Sequence, residues 1–137
     1  MDLYTYAKYD GTGLAELVKK KEVTPKELTE AAFKQIENVN PLLNGVVRTR
    51  QEKVLKELEQ LDLQKQPFAG VPMLLKDISQ AVEGEPLTAG SRLLKNNISS
   101  RDSNFVARLR KAGFLFLGHT NTPEFGLKNI TEPEVHG

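Results

Sequence analysis

The sequence contains no cysteine. That absence excludes a disulfide framework, a cysteine nucleophile and a cysteine-ligated metal centre. Histidine is nearly absent too, with only His119 and His136. Nothing in their separation marks a metal site, and surface or structural roles are the simpler reading. Charge of one sign is also lacking. The formal net charge is +1, with Lys and Glu interspersed. No field is strong enough to point to nucleic acid or a membrane surface as partner. The longest apolar runs are about five residues, against the roughly 20 that cross a bilayer. Residues Met1 to Tyr6 show no basic segment followed by an apolar stretch, so no secretory signal is expected and a cytoplasmic location is. Gly11-Thr12-Gly13 is not followed by the rest of a phosphate-binding loop. No cofactor is expected.

What remains is an ordinary globular composition over 137 residues, enough for a single region with its own core. Residues 14–20 read as a short helix with Leu14, Leu17 and Val18 on one face. Thr24-Pro25-Lys26-Glu27 is a capping box with proline at the first helical position. Leu28, Ala32, Ile36 and Val39 follow at helical spacing, and Asn40-Pro41 is expected to end that helix. Residues 45–48 read as a short strand. Residues 51–63 form an amphipathic pattern, with Val54, Leu55, Leu58 and Leu61 inward. Residues 71–75 and 114–117 read as buried strands. Between them, residues 79–100 are rich in Gly, Ser, Pro and Asn and read as a long loop, which in a compact domain is usually functional or disordered. Asp102 or Ser103 can cap a helix bearing Phe105, Val106 and Leu109, with Gly113 as its stop. Strands alternating with helices predict an α/β layer with partly parallel strands. Residues 131–137 are polar and have no closing element.

The most informative segment is Gly70-Val71-Pro72-Met73-Leu74-Leu75-Lys76-Asp77. A lysine after three apolar residues, in a strand expected to be buried, is uncommon. A buried ammonium either pairs with a carboxylate or gives up its proton more readily. A lysine of the second kind can serve as a general base near neutral pH. From the residues alone, Lys76 reaching water at the strand's end, or pairing with Asp77, is the simpler alternative.

Four blocks in order change that balance. Gly70-Val71-Pro72 with Lys76-Asp77 resembles the first block of the amidase-signature family. Thr88-Ala89-Gly90-Ser91 is similar to its T-x-G-S turn. Asp102 and the run Val106 to Gly113 are similar to its helix. Gly118-His119-Thr120-Asn121-Thr122-Pro123-Glu124-Phe125-Gly126 is similar to its G-K-T-N-x-P-E-F block, with His119 where the family often has lysine. The resemblance covers roughly residues 14–137. Thr131-Glu132-Pro133-Glu134 narrows it toward the branch that includes 6-aminohexanoate cyclic dimer hydrolases.

The resemblance implies the N-terminal part of a mixed sheet flanked by helices, in a hydrolase of linear or cyclic amides with a small-molecule substrate. It implies a nucleophilic serine, a second serine in a cis peptide and a lysine, which corresponds to Lys76. The two serines belong to a Gly-Gly-Ser-Ser-rich segment that these residues do not contain, and Ser91, Ser99, Ser100 and Ser103 do not match it. The chain alone is therefore expected to be inactive. A truncated, non-catalytic interaction module is the alternative. The resemblance also runs the region after Phe125 along the substrate pocket. There Phe125 would form a wall, and Asn129 and Thr131 would contact an amide. An ordinary hydrogen-bonded loop is the competing reading, as solvated carboxylates are for Glu124, Glu132 and Glu134. Asn121 and Asp102 are expected to hold local backbone.

Overall fold

The computed structural model describes all 137 residues. Three helices open the chain: α1 (Leu3–Tyr6), α2 (Gly11–Lys19) and α3 (Pro25–Leu43). They are followed by β1 (Val46–Thr49), α4 (Gln51–Leu58), β2 (Pro72–Lys76), α5 (Asn104–Ala112) and β3 (Leu115–Thr120). Short 3-10 turns span Arg92–Leu94 and Glu124–Gly126.

Local chemistry accounts for most of the boundaries. At the start of α3, Thr24 Oγ1 accepts from Glu27 N at 3.2 Å, and Glu27 Oε2 accepts from Thr24 N at 2.8 Å, closing the expected capping box. Ser103, one of the two candidates, caps α5. Gly113, at φ 103°, ends α5 in the left-handed conformation that glycine adopts without a Cβ clash.

Two helix ends differ from expectation. The α3 helix passes Pro41 and runs to Leu43. Pro41 lies in the last turn, where little of the hydrogen-bond ladder remains to be lost, and Asn40 secures the exit. Its amide donates to Val46 O at 2.9 Å and its carbonyl accepts from Val46 N at 2.7 Å. The α4 helix stops at Leu58, before the expected Leu63. Beyond it the turn tightens, with Gln60 N bonded to Glu57 O, and Asp62 N donates to Gln66 Oε1 at 2.9 Å, so a side chain takes an amide that a helix to Leu63 would use. Leu55, expected inward, is exposed, as is Phe105 on α5.

The strands form one mixed sheet in the order β1-β3-β2. β1 pairs antiparallel and β2 parallel to the central β3. This is the α/β arrangement the sequence implied. Leu115 and Leu117 pack with Ala32, Phe33 and Val54 from α3 and α4. Phe116 and Leu75 pack with Val82 and Val106. Gly118 lies so close to β1 that a Cβ there would sit 2.1 Å from Arg48 O. No helix is long and apolar enough to cross a membrane.

Candidate functional site

The sheet alternates its faces, and that alternation decides where the lysine goes. Leu75 and Asp77 are both fully buried, while Lys76 between them is exposed. The expectation of a desolvated Lys76 is thus corrected. Three apolar residues precede it, but it sits at the strand's last position and turns to the open face. Its backbone is well fixed, since Lys76 N donates to Gln80 Oε1 at 2.6 Å.

The buried charge is instead Asp77. Arg48 Nη2 donates to Oδ1 at 2.7 Å, and Thr88 N donates to the same oxygen at 3.0 Å. Thr88 Oγ1 donates to Oδ2 in a very short bond, and His136 Nε2 lies 3.1 Å from that oxygen. The backbone is held as well: Asp77 N donates to Thr120 O, and Ala89 N to Asp77 O. Burial alone would raise the carboxyl's pKa. The donors from Arg48 and Thr88 outweigh it and bring the group down to about 2.

Around this anchor the sequence blocks converge. Thr88 is in contact with Asp77, which follows Lys76 directly. Ser91 Oγ donates to Glu124 Oε1 at 2.6 Å, and Phe125 N donates to Ala89 O at 2.8 Å. The turn at residues 88–91 is therefore bonded to the β2 exit on one side and to residues 122–126 on the other. Glu124 is tied, not merely solvated as expected. Backbone strain collects in the same place: Ser79, Ala89 and Phe125 are non-glycine residues at φ 60°, 49° and 52°. Such conformations cost about 1–3 kcal/mol each and gather at functional sites.

The substrate candidates are spread along the edge. Phe125 lines a groove of about 550 Å³ with Glu124, Ile130, Glu132 and Glu134. Thr131 lines a separate cavity of about 270 Å³ with Asn44 and Asn121. Asn129 is exposed and borders neither, and Lys76 borders neither. Glu134 pairs with Arg92 at 2.6 Å across open solvent. Asn121 and Asp102 hold backbone as expected, with Asn121 Oδ1 accepting from Thr122 N and Asp102 Oδ1 from Glu83 N.

The sequence does not announce the meeting of Arg48 and His136 with Asp77, nor the bond Thr88 makes to that carboxylate from within its motif block, nor the burial of His119. His119 is fully enclosed and neither ring nitrogen has a protein partner. Burial, reinforced by the Arg48 guanidinium, pushes its pKa down to about 4, against the pull of Asp77. A second buried cluster joins Arg50 to Glu85 at 2.9 Å, to Glu57 at 2.7 Å and to Phe116 O at 2.7 Å. It fastens the loop after β2 to α4 and the sheet.

Comparison with known proteins gives this geometry a family. The chain is 42% identical over 124 residues to a lipoamidase of Enterococcus faecalis, covering 90% of this chain and 17% of that protein. It is also 42% identical over 130 residues to a 6-aminohexanoate-cyclic-dimer hydrolase of Paenarthrobacter ureafaciens, covering 93% of this chain and 26% of that protein. A solved structure of 6-aminohexanoate cyclic dimer hydrolase complexed with substrate superposes with a TM-score of 0.88 at 40% identity, over all of this chain and 27% of that one. The chain thus spans 17–27% of the length of these relatives. The family model described as amidase matches residues 27–137. On that match, and with the motif blocks joined at the exit of β2, the chain belongs to the amidase family.

Proposed function

We propose that these residues are the lysine-bearing part of a hydrolase that cleaves linear or cyclic carbon–nitrogen amide bonds in small molecules. The observation that carries this reading is the convergence of the Lys76-Asp77, Thr88–Ser91 and Thr122–Gly126 blocks at one end of the sheet. The relatives' names, a lipoamidase and a cyclic-dimer hydrolase, support an amide as the substrate class.

In this reading the nucleophile and a bridging cis-peptide serine are supplied from outside residues 1–137. The nucleophilic hydroxyl attacks the amide carbon, and its proton passes through the bridging serine to neutral Lys76. The same proton then reaches the leaving nitrogen, the C–N bond breaks, and water releases the acyl group by the reverse relay. Phe125 would wall the acyl side, with Asn129 and Thr131 as polar contacts. Asp77 is too fully engaged by donors to act as the base. Its part is to lock the backbone from which Lys76 projects.

The test is kcat against pH for the full-length protein encoded by this reading frame. Lys76→Ala is expected to lower kcat by about 10²–10⁴-fold, the usual worth of a positioned base. Lys76→Arg should not rescue, because a guanidinium stays protonated and cannot accept the proton. An arginine variant that keeps most of the wild-type rate sinks the assignment.

A further inference from the structure

His136 reaches across 59 residues of sequence to the carboxylate beside Lys76. Its Nε2 lies 3.1 Å from Asp77 Oδ2 and 3.0 Å from Thr88 Oγ1. The hydroxyl hydrogen of Thr88 is already committed to Asp77. Both neighbours therefore present acceptors to the ring, which assigns the proton to Nε2. The geometry is not that of a nucleophilic triad, because one nitrogen serves both partners and none is left to receive a proton from Thr88.

Apart from Pro133, which is buried, the segment carrying His136 is lightly held. Residues 124–132 are exposed throughout. The Arg92–Glu134 pair is largely solvated on both sides, and such pairs contribute only about 0–1 kcal/mol. Asn44 Nδ2 caps the carbonyls of His136 and Gly137 at 2.9 and 2.7 Å, again near solvent. His136 is thus the side chain through which this segment reaches a buried charge. Asn129 and Thr131, the polar substrate candidates, lie five to seven residues before it.

We propose that His136 is a positioning residue for amide hydrolysis at Lys76: its Nε2–H completes the donor shell of Asp77 and so sets the substrate-side segment, residues 129–137, against the strand end that carries the lysine. The proposal rests on the functional reading above. It adds a specific link between the binding side and the base, made by a residue outside the blocks that carry the family resemblance.

The distinguishing variants are His136→Gln and His136→Asn in the full-length protein, assayed with an acyl p-nitroanilide. Glutamine places an amide N–H close to where Nε2 stood, and asparagine carries the same donor but falls short. His136→Gln is expected to keep KM near wild type. His136→Asn should raise KM by about tenfold, the worth of one hydrogen bond to a charged group, with kcat nearly unchanged. A purely structural role would instead lower the melting temperature of the asparagine variant and leave KM alone. Equal KM values for the two variants overturn the proposal. A separate readout needs no activity. Hydrogen exchange at the Thr88 amide, which donates to the same carboxylate, should quicken by about tenfold in His136→Asn and not in His136→Gln. If Lys76→Ala retains the rate, the lysine assignment fails, while this exchange contrast still reports on the link itself.

Discussion

Acidification from pH 7 to pH 5 should weaken this fold mainly through His119. In the folded chain its pKa is pushed to about 4, against an ordinary 6.5, by burial and by the Arg48 guanidinium. Below pH 6.5 the unfolded chain takes up a proton that the folded chain refuses. The stability contributed by keeping this ring neutral is therefore complete above pH 6.5 and is lost as pH falls toward 4. The gap between the two values corresponds to roughly 3 kcal/mol in full, of which about 2 kcal/mol is gone by pH 5. Asp77, Glu85 and Asp102 are all held below their ordinary values of 3.8, 4.5 and 3.8, so their contributions disappear only at lower pH. The assay is urea unfolding at pH 7 and pH 5, for wild type and His119→Gln, which cannot titrate. Wild type should lose about 2 kcal/mol and the variant well under half of that. Equal losses in the two proteins would refute the reasoning, whatever their absolute stabilities.

Three further outcomes follow from the same geometry. On the proposed mechanism, which takes its nucleophile from outside residues 1–137, the 137-residue chain alone should show no hydrolysis of an aryl amide above a Lys76→Ala control. Gly118→Ala should cost about 1–3 kcal/mol or more in urea unfolding, since the new Cβ meets the Arg48 carbonyl at 2.1 Å; Gly45→Ala, with nothing within 4 Å, is the control. In the full-length protein, alanine at Phe125, Asn129 or Thr131 should raise KM with little change in kcat, and three unchanged KM values would remove this edge from the substrate pocket.

Much of the fold was legible because its signals are short-range. The box at Thr24 and Glu27 closes over three residues, and Gly113 stops its helix through its own φ. Strand positions followed from apolar runs at residues 71–75 and 114–117. The errors share a different origin. The α4 helix stopped short of Leu63, where the Asp62 amide goes to the Gln66 side chain, a capture that helical periodicity does not register. The placement of Lys76 turned on strand alternation at the sheet's end, where one step separates an exposed side chain from a buried one. The centre of the site was illegible for a plainer reason. Arg48, Thr88 and His136 meet Asp77 across 29, 11 and 59 residues. No local pattern announces such a meeting. The motif blocks follow in order along the sequence, but only the fold shows that the Asp77 carboxylate holds Thr88 and that the turn after Thr88 in turn holds Glu124 and Phe125.

The exposure of Lys76 sets a condition on its proposed role. A lysine accepts protons near neutral pH only when its ammonium form is disfavoured, by desolvation or by a nearby positive charge. Residues 1–137 leave the side chain exposed. Arg48, the cation nearest the carboxylate beside it, is bonded to Asp77. The desolvation must therefore come with whatever covers this face, in the proposed enzyme the segment bearing the two serines. That gives a prediction readable by mass spectrometry after brief acylation of amines. In the isolated chain, Lys76 should acylate alongside Lys26 and Lys65, whose side chains are 70% and 86% exposed. In the full-length protein it should acylate more slowly than they do, because a covered amine is less accessible to the reagent. If Lys76 in the full-length protein acylates at the rate of Lys26, then nothing covers it, and a proton relay through this lysine has no physical basis.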